Sequence, residues 1–202
     1  MALSDVKKAI VSSLDHLMGI DHRRDNPALF AAWAALVRLQ HTFQASVLTI
    51  KCGLHFETAA LERLILEQLA WISAAHSYEG DCFKLSPKKC LAVLQEIYPC
   101  TGPLHRLLTS FARLAPETTV KHVQVDNEGF RVQLSDREKV GSMAYYLVVL
   151  ADMYSVIGEL IYADRIEQHR YIQQGPDGRL VPREHRPTKG MLDKHKSLLL
   201  GH

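Results

Sequence analysis

The chain has 202 residues, with 47% hydrophobic and 23% charged side chains, the balance of an ordinary soluble globular protein that needs no disulfides or metals to hold a core. Net charge is +2, but residues 165–202 carry eight Lys/Arg against four Asp/Glu, so that stretch holds +4 and the rest −2. A mildly acidic body with a basic, histidine-bearing tail hints at an acidic partner, nucleic acid included, while a solvated tail is the plainer reading. The opening "MALSDVKKAIVSSLDHLMG" lacks the continuous apolar run of a signal peptide. Without an export signal, Cys52, Cys82, Cys90 and Cys100 are expected to be reduced thiols in a cytoplasmic protein.

Taken in chain order, Ser4 can cap a first helix, expected to run to Met18 and to stop at Gly19. Asn26-Pro27 is an N-cap followed by proline at the first helical position, and it opens a helix ended by Gly53 as C-cap. The segment "ETAALERLILEQLAWISAAHS" follows at once, so the two helices are expected to pack as an antiparallel hairpin. Its main apolar stripe reads Leu61, Leu64, Ile65, Gln68, Leu69, Ile72 and Ala75. Ser86-Pro87 starts a shorter helix to about Tyr98, and "LHRLLTSFARLA" is another, stopped near Pro116. The alternation of "HVQVDNEGFRVQL" predicts a β-hairpin over about 122–134. Ser135 to Glu138 forms a capping box for the longest helix, predicted to reach about Gln174. Within it, "MAYYLVVLADMYSVIGELIY" is long enough to span a membrane, but Asp152 and Glu159 argue for the central helix of a soluble bundle. Gly175-Pro176, Gly178, Pro182 and Pro187 then predict no regular structure until "MLDKHKSLLL".

The expected architecture is mainly α, a bundle of five or six helices over 1–174 with one hairpin, followed by an extended basic tail over 175–202. Inside the apolar helices, a few polar residues ask for an explanation. Asp152, Ser155 and Glu159 stand at i, i+3 and i+7, on one side of an otherwise apolar helix. A helix that apolar is enclosed by others, so the line is expected to meet protein, with Arg63 and Arg38 as the cations that face Asp152 or Glu159. Arg63 and Glu67 can also pair with each other, one turn apart. Three readings of these groups stay open: a buried packing network, a wet face, or a functional pocket.

The pattern "RLILEQLAWI", Arg63 to Ile72, resembles the leading helix of an uncharacterised bacterial all-helical family grouped as a domain of unknown function. In that family an arginine–glutamate helix is followed by a leucine-Ser-x-aromatic-Ala-His type of helix and a long C-terminal helix. "LLTSFARLAPETTVKHV" resembles the second element through Ser110, Phe111 and Ala112, over about two-thirds of the chain in all. Arg113 stands where the motif has its histidine, which leaves His105 or His122 as substitutes. The resemblance implies a helical fold and no established activity.

Several chemistries are excluded. A di-iron bundle needs Glu-x-x-His, which does not occur. Cys52-x₂-His55 and Cys100-x₄-His105 are each half a zinc motif, and no metal or cofactor is expected. Nucleotide loops, nucleophile elbows and H-E-x-x-H are absent. Metal-independent RNases of the HEPN type are also helical bundles, with Arg and His four to six residues apart. Arg179 and His185 have that spacing in the tail, and Arg165 and His169 fall one short on the long helix. The reading that results is an interaction or scaffold module acting as a homodimer. An RNase-like effector and a small-ligand-binding bundle are the alternatives. The dimer rests on a surplus of aromatics: Phe30, Trp33, Trp71, Tyr145 and Tyr146.

Overall fold

A computed structural model describes residues 2–20, 26–113, 120, 123–126, 129–132 and 137–199, with 124–126, 130–132, 137 and 138 described by backbone alone. The chain is mainly helical, with seven α-helices among the described residues: α1 (Ala2–Leu17), α2 (Pro27–Lys51), α3 (His55–Ala75), α4 (Pro87–Ile97), α5 (Thr101–Ala112), α6 (Arg137–Leu160) and α7 (Lys189–His195). Strands β1 (Val123–Asp126) and β2 (Gly129–Val132) pair antiparallel, with Val123 opposite Val132, where the alternation predicts a hairpin. The capping box at Ser135 lies outside the described residues.

Local chemistry sets the helix ends. Asn26 Oδ1 accepts from the Ala28 and Leu29 amides at 3.0 and 3.1 Å, with Pro27 supplying a preset φ at the first position. Gly53 closes α2 in the left-handed region, φ 75°, and the Gly53 and Leu54 amides reach back to the Ile50 and Thr49 carbonyls, a Schellman closure. The chain re-enters a helix at once, so α2 and α3 lie antiparallel, and the Thr49 and Thr58 hydroxyls meet across the seam at 2.9 Å.

Helix α6 is the axis. Leu147, Val148, Leu150, Ala151, Met153, Tyr154, Val156 and Ile157 are all fully buried, because α1, α2, α3 and α7 pack around it. Its stretch Lys139–Leu160 has the length and hydropathy to cross a membrane, and 67% of an 18-residue window within it is buried against neighbouring elements, as in a central core helix. Gly158 lets two helices seat closely: a Cβ there would lie 3.1 Å from Leu17 Cδ1 and 3.3 Å from Leu36 Cδ2. Gly158→Val is therefore expected to overpack the junction of α1, α2 and α6 and to destabilise by about 1–3 kcal/mol, read as a lower thermal midpoint. An unchanged midpoint would mean that the junction is looser than this.

Three expectations are corrected. The last long helix ends at Leu160 rather than near Gln174, and the chain turns through a 3-10 segment at Ala163–Arg165. The region of Gly175 to Pro182 is ordered as a second hairpin, β3 (Ile172–Gln174) with β4 (Leu180–Pro182), Ile172 opposite Pro182. The glycines and prolines supply the turn instead of abolishing structure. Gly178 takes φ 80°, the Gly175 amide bonds the Arg179 carbonyl at 2.7 Å, and Pro182 ends an edge strand where no donor is needed. The apolar stripe of α3 is also turned: Leu64 is 38% exposed, while Glu62 faces inward with Thr58, Ile65 and Leu69. Contacts to α2, α4, α5 and α6 surround this helix, so its burial follows four neighbours rather than one apolar face.

Candidate functional site

The polar line of α6 is buried, and each member is held. Asp152, 1% exposed, receives a bidentate pair from Arg186, Nε to Oδ1 at 2.6 Å and Nη2 to Oδ2 at 2.7 Å. The Tyr98 hydroxyl donates to Oδ2 at 2.9 Å, and the Thr188 hydroxyl donates to Oδ1. Burial and the Asp152 charge raise the Tyr98 phenol well above its ordinary pKa, so it stays a donor. Burial opposes the charge on Arg186, but the hydrogen bond and charge of Asp152 outweigh it and raise the guanidinium pKa. Ser155 meets the Ser13 hydroxyl of α1 at 2.6 Å.

Glu159, also 1% exposed, works differently. Its carboxylate accepts the backbone amides of Arg170, Tyr171 and Ile172 at 2.7, 2.6 and 2.8 Å, and His16 Nε2 lies 3.0 Å from Oε1. Three amides at the start of β3 thus take a side-chain acceptor from α6, which is why the chain doubles back after Leu160. At the far end, Asp5 of α1 accepts from Lys194 Nζ and His195 Nε2, both at 2.8 Å. Those hydrogen bonds hold its carboxyl down to about 2. The C-terminal segment is fastened to the bundle at three points.

The remaining predicted residues fall elsewhere. Arg63 does not meet Asp152 or Glu159. It lies 3.3 Å from Glu67, which is also 3.0 Å from His105 Nε2 of α5, at a half-exposed surface. Arg38 is exposed on α2. The expectation that these two cations answer the α6 carboxylates is corrected. The cation is Arg186, from the segment expected to be an extended tail. Arg165 and His169 do not share a helical face, since α6 stops before them. Arg165 Nε lies 3.9 Å from Asp164, and the His169 ring bonds the Ala163 carbonyl at 3.0 Å. Arg179 lies 3.6 Å from both Glu96 and Asp177, and His185 is exposed. Arg113, at the position of the family motif's histidine, is exposed just past α5, and His122 lies outside the described residues.

Two features escaped the sequence reading. One is the depth of Glu62, fully buried with neither carboxylate oxygen hydrogen-bonded. Burial raises its pKa well above the usual range, which favours the neutral acid. The other is a groove of about 630 Å³ between α1 and α2. Both helices rest on α6 but barely touch each other, so their upper seam is unfilled. Phe43, 2% exposed, forms the floor and stands edge-on to Tyr154 at 5.7 Å. Val11 and Leu48 rise at the rim, 46% and 62% exposed, flanked by Lys7 and Lys51. Among the described residues, no carboxylate lines it.

Among the described residues, no group of three or more His, Cys, Asp or Glu is placed to hold a metal ion. The geometry defines a helical bundle with a fastened C-terminal segment and an open apolar seam between α1 and α2. Comparison with protein-family models, curated proteins and solved structures gives no match.

Proposed function

We propose that this chain is a protein-interaction module whose working surface is the α1–α2 groove. The observation that carries this reading is the groove itself, an apolar trough with exposed branched side chains on both walls. Val11 and Leu48 face solvent on opposite walls, so a partner's apolar side chains seated between them would remove both from water. The disposition of the polar groups supports it from the other side. Asp152, Ser155 and Glu159, the residues a small-ligand pocket would have used, are occupied by Arg186, Ser13 and the backbone of 170–172.

A photo-crosslinking residue at Val11 tests this in the cells that make the chain. The expected result is a discrete protein adduct at Val11, none from the exposed control position Lys88 on α4, and loss of the adduct with Leu48→Asp. Equal adduct yields at Val11 and Lys88 would contradict it. A HEPN-like nuclease is the second reading, and one observation favours it: Arg63 and His105 converge on Glu67. RNA cleavage lost in a folded His105→Ala variant would put that reading first.

A further inference from the structure

Resting on that reading, we infer that the groove takes a single amphipathic helix from a partner protein, carrying carboxylates beside its apolar face. The walls give the length. On α1 the groove runs from Leu3 to Val11, and on α2 from Gln40 to Lys51. At 1.5 Å per residue these walls are about 12 and 17 Å long, the length of two to three helical turns. Anchors at i, i+3 or i+4, and i+7 on an incoming helix therefore span the trough, which is the helix-in-groove mode of recognition.

Charge selects among such helices. Among the described residues, the lining contains Lys7 on one wall and Lys51 on the other, with Ser4, Gln40 and Gln44 as neutral polar members and no acid. The nearest acid on α1, Asp5, is engaged with Lys194 and His195. A helix with glutamates flanking its apolar stripe meets a lysine on each side. A lysine-flanked helix of equal hydrophobicity meets repulsion on both.

Charge also disfavours a second copy as occupant. A two-fold contact through this face would set Lys7 and Lys51 against the lysines of the other protomer with no lining carboxylate between them. The aromatics behind the expected homodimer also leave less free surface than the sequence suggests. Trp33 packs edge-on to Tyr162 at 6.0 Å, and the Trp71 indole donates to the Cys82 carbonyl at 3.1 Å. Tyr145 and Tyr146 are half-buried, and of the five only Phe30 is exposed.

The test uses the full chain and two labelled peptides with identical leucine anchors, one flanked by glutamates and one by lysines. Anisotropy titrations at low salt are expected to show the glutamate peptide binding about tenfold more tightly than the lysine peptide. The Lys7→Glu/Lys51→Glu variant should reverse that order, and Leu48→Asp should weaken both; these positions are exposed, and circular dichroism checks that each variant keeps its helix content. Equal affinities, a preference for the lysine peptide, or no binding by either overturns the inference. So does a dimer in light scattering that Leu48→Asp dissolves, which assigns the groove to a second copy. Peptide failure with a Val11-specific crosslink leaves the interaction module standing and removes only the acidic helix. Failure of both removes the module as well.

Discussion

Arg186→Ala is expected to be the most damaging single truncation in the C-terminal segment. Arg186 is 11% and Asp152 1% exposed, and two short charge-assisted bonds join them. Removing the guanidinium leaves a carboxylate in the core with only the Tyr98 and Thr188 hydroxyls for company. Breaking a buried pair in this way costs about 3–5 kcal/mol. Urea unfolding should show that loss, and limited proteolysis should find new cleavage between 175 and 190, where the hairpin comes away from α6. Replacing both partners, Asp152→Leu with Arg186→Met, should recover much of the loss, because no uncompensated charge then remains buried. A change below about 1 kcal/mol in the single variant, without new cleavage, would mean that the pair is solvated in solution.

Glu62 gives the opposite sign. A buried carboxyl with two unsatisfied oxygens costs about 1–3 kcal/mol, so Glu62→Met, which keeps the volume, is expected to stabilise by that amount. The pH dependence follows from linkage. The folded-state pKa is raised, so the folded chain retains a proton that the unfolded chain releases near pH 4. The stability associated with the neutral acid is fully present below that unfolded value and falls as pH rises, by about 1.4 kcal/mol per unit, until the folded pKa is passed. The difference between wild type and Glu62→Met isolates this slope from all other titrations. Urea midpoints from pH 4 to pH 8 should therefore fall for wild type relative to the variant. A parallel pair of curves, with the variant less stable, would show that Glu62 is charged and paired.

Spacing made part of this legible. Asp152, Ser155 and Glu159 at i, i+3 and i+7 on an apolar helix already placed a polar line against protein, and capping signals at Asn26-Pro27, Gly53 and Ser86-Pro87 marked real helix ends. What periodicity could not supply was the partners. Arg186 is thirty-four positions from Asp152, in a proline-bearing stretch that reads as loop. Three of the four groups that hold Glu159 are backbone amides, which have no residue identity to read. The end of α6 was hidden for the same reason, since a side chain within the helix, rather than a glycine or proline after it, redirects the chain. Glu62 was misplaced because α3 is enclosed by four helices, and a single-stripe reading assumes one. The groove depends on α1 and α2 diverging over α6, a tertiary fact with no local signature.

The account turns on the α6 carboxylates being structural fasteners rather than an open site, and amide hydrogen exchange at Arg170, Tyr171 and Ile172 reads this directly. If Glu159 holds those amides as described, all three exchange slowly, on the scale of the α6 core and far more slowly than the exposed Asp177 amide of the 175–178 turn. Exchange as fast as that turn would contradict the account, leaving Glu159 and Asp152 free for a ligand and making the polar line of α6, instead of the α1–α2 groove, the place to look for function.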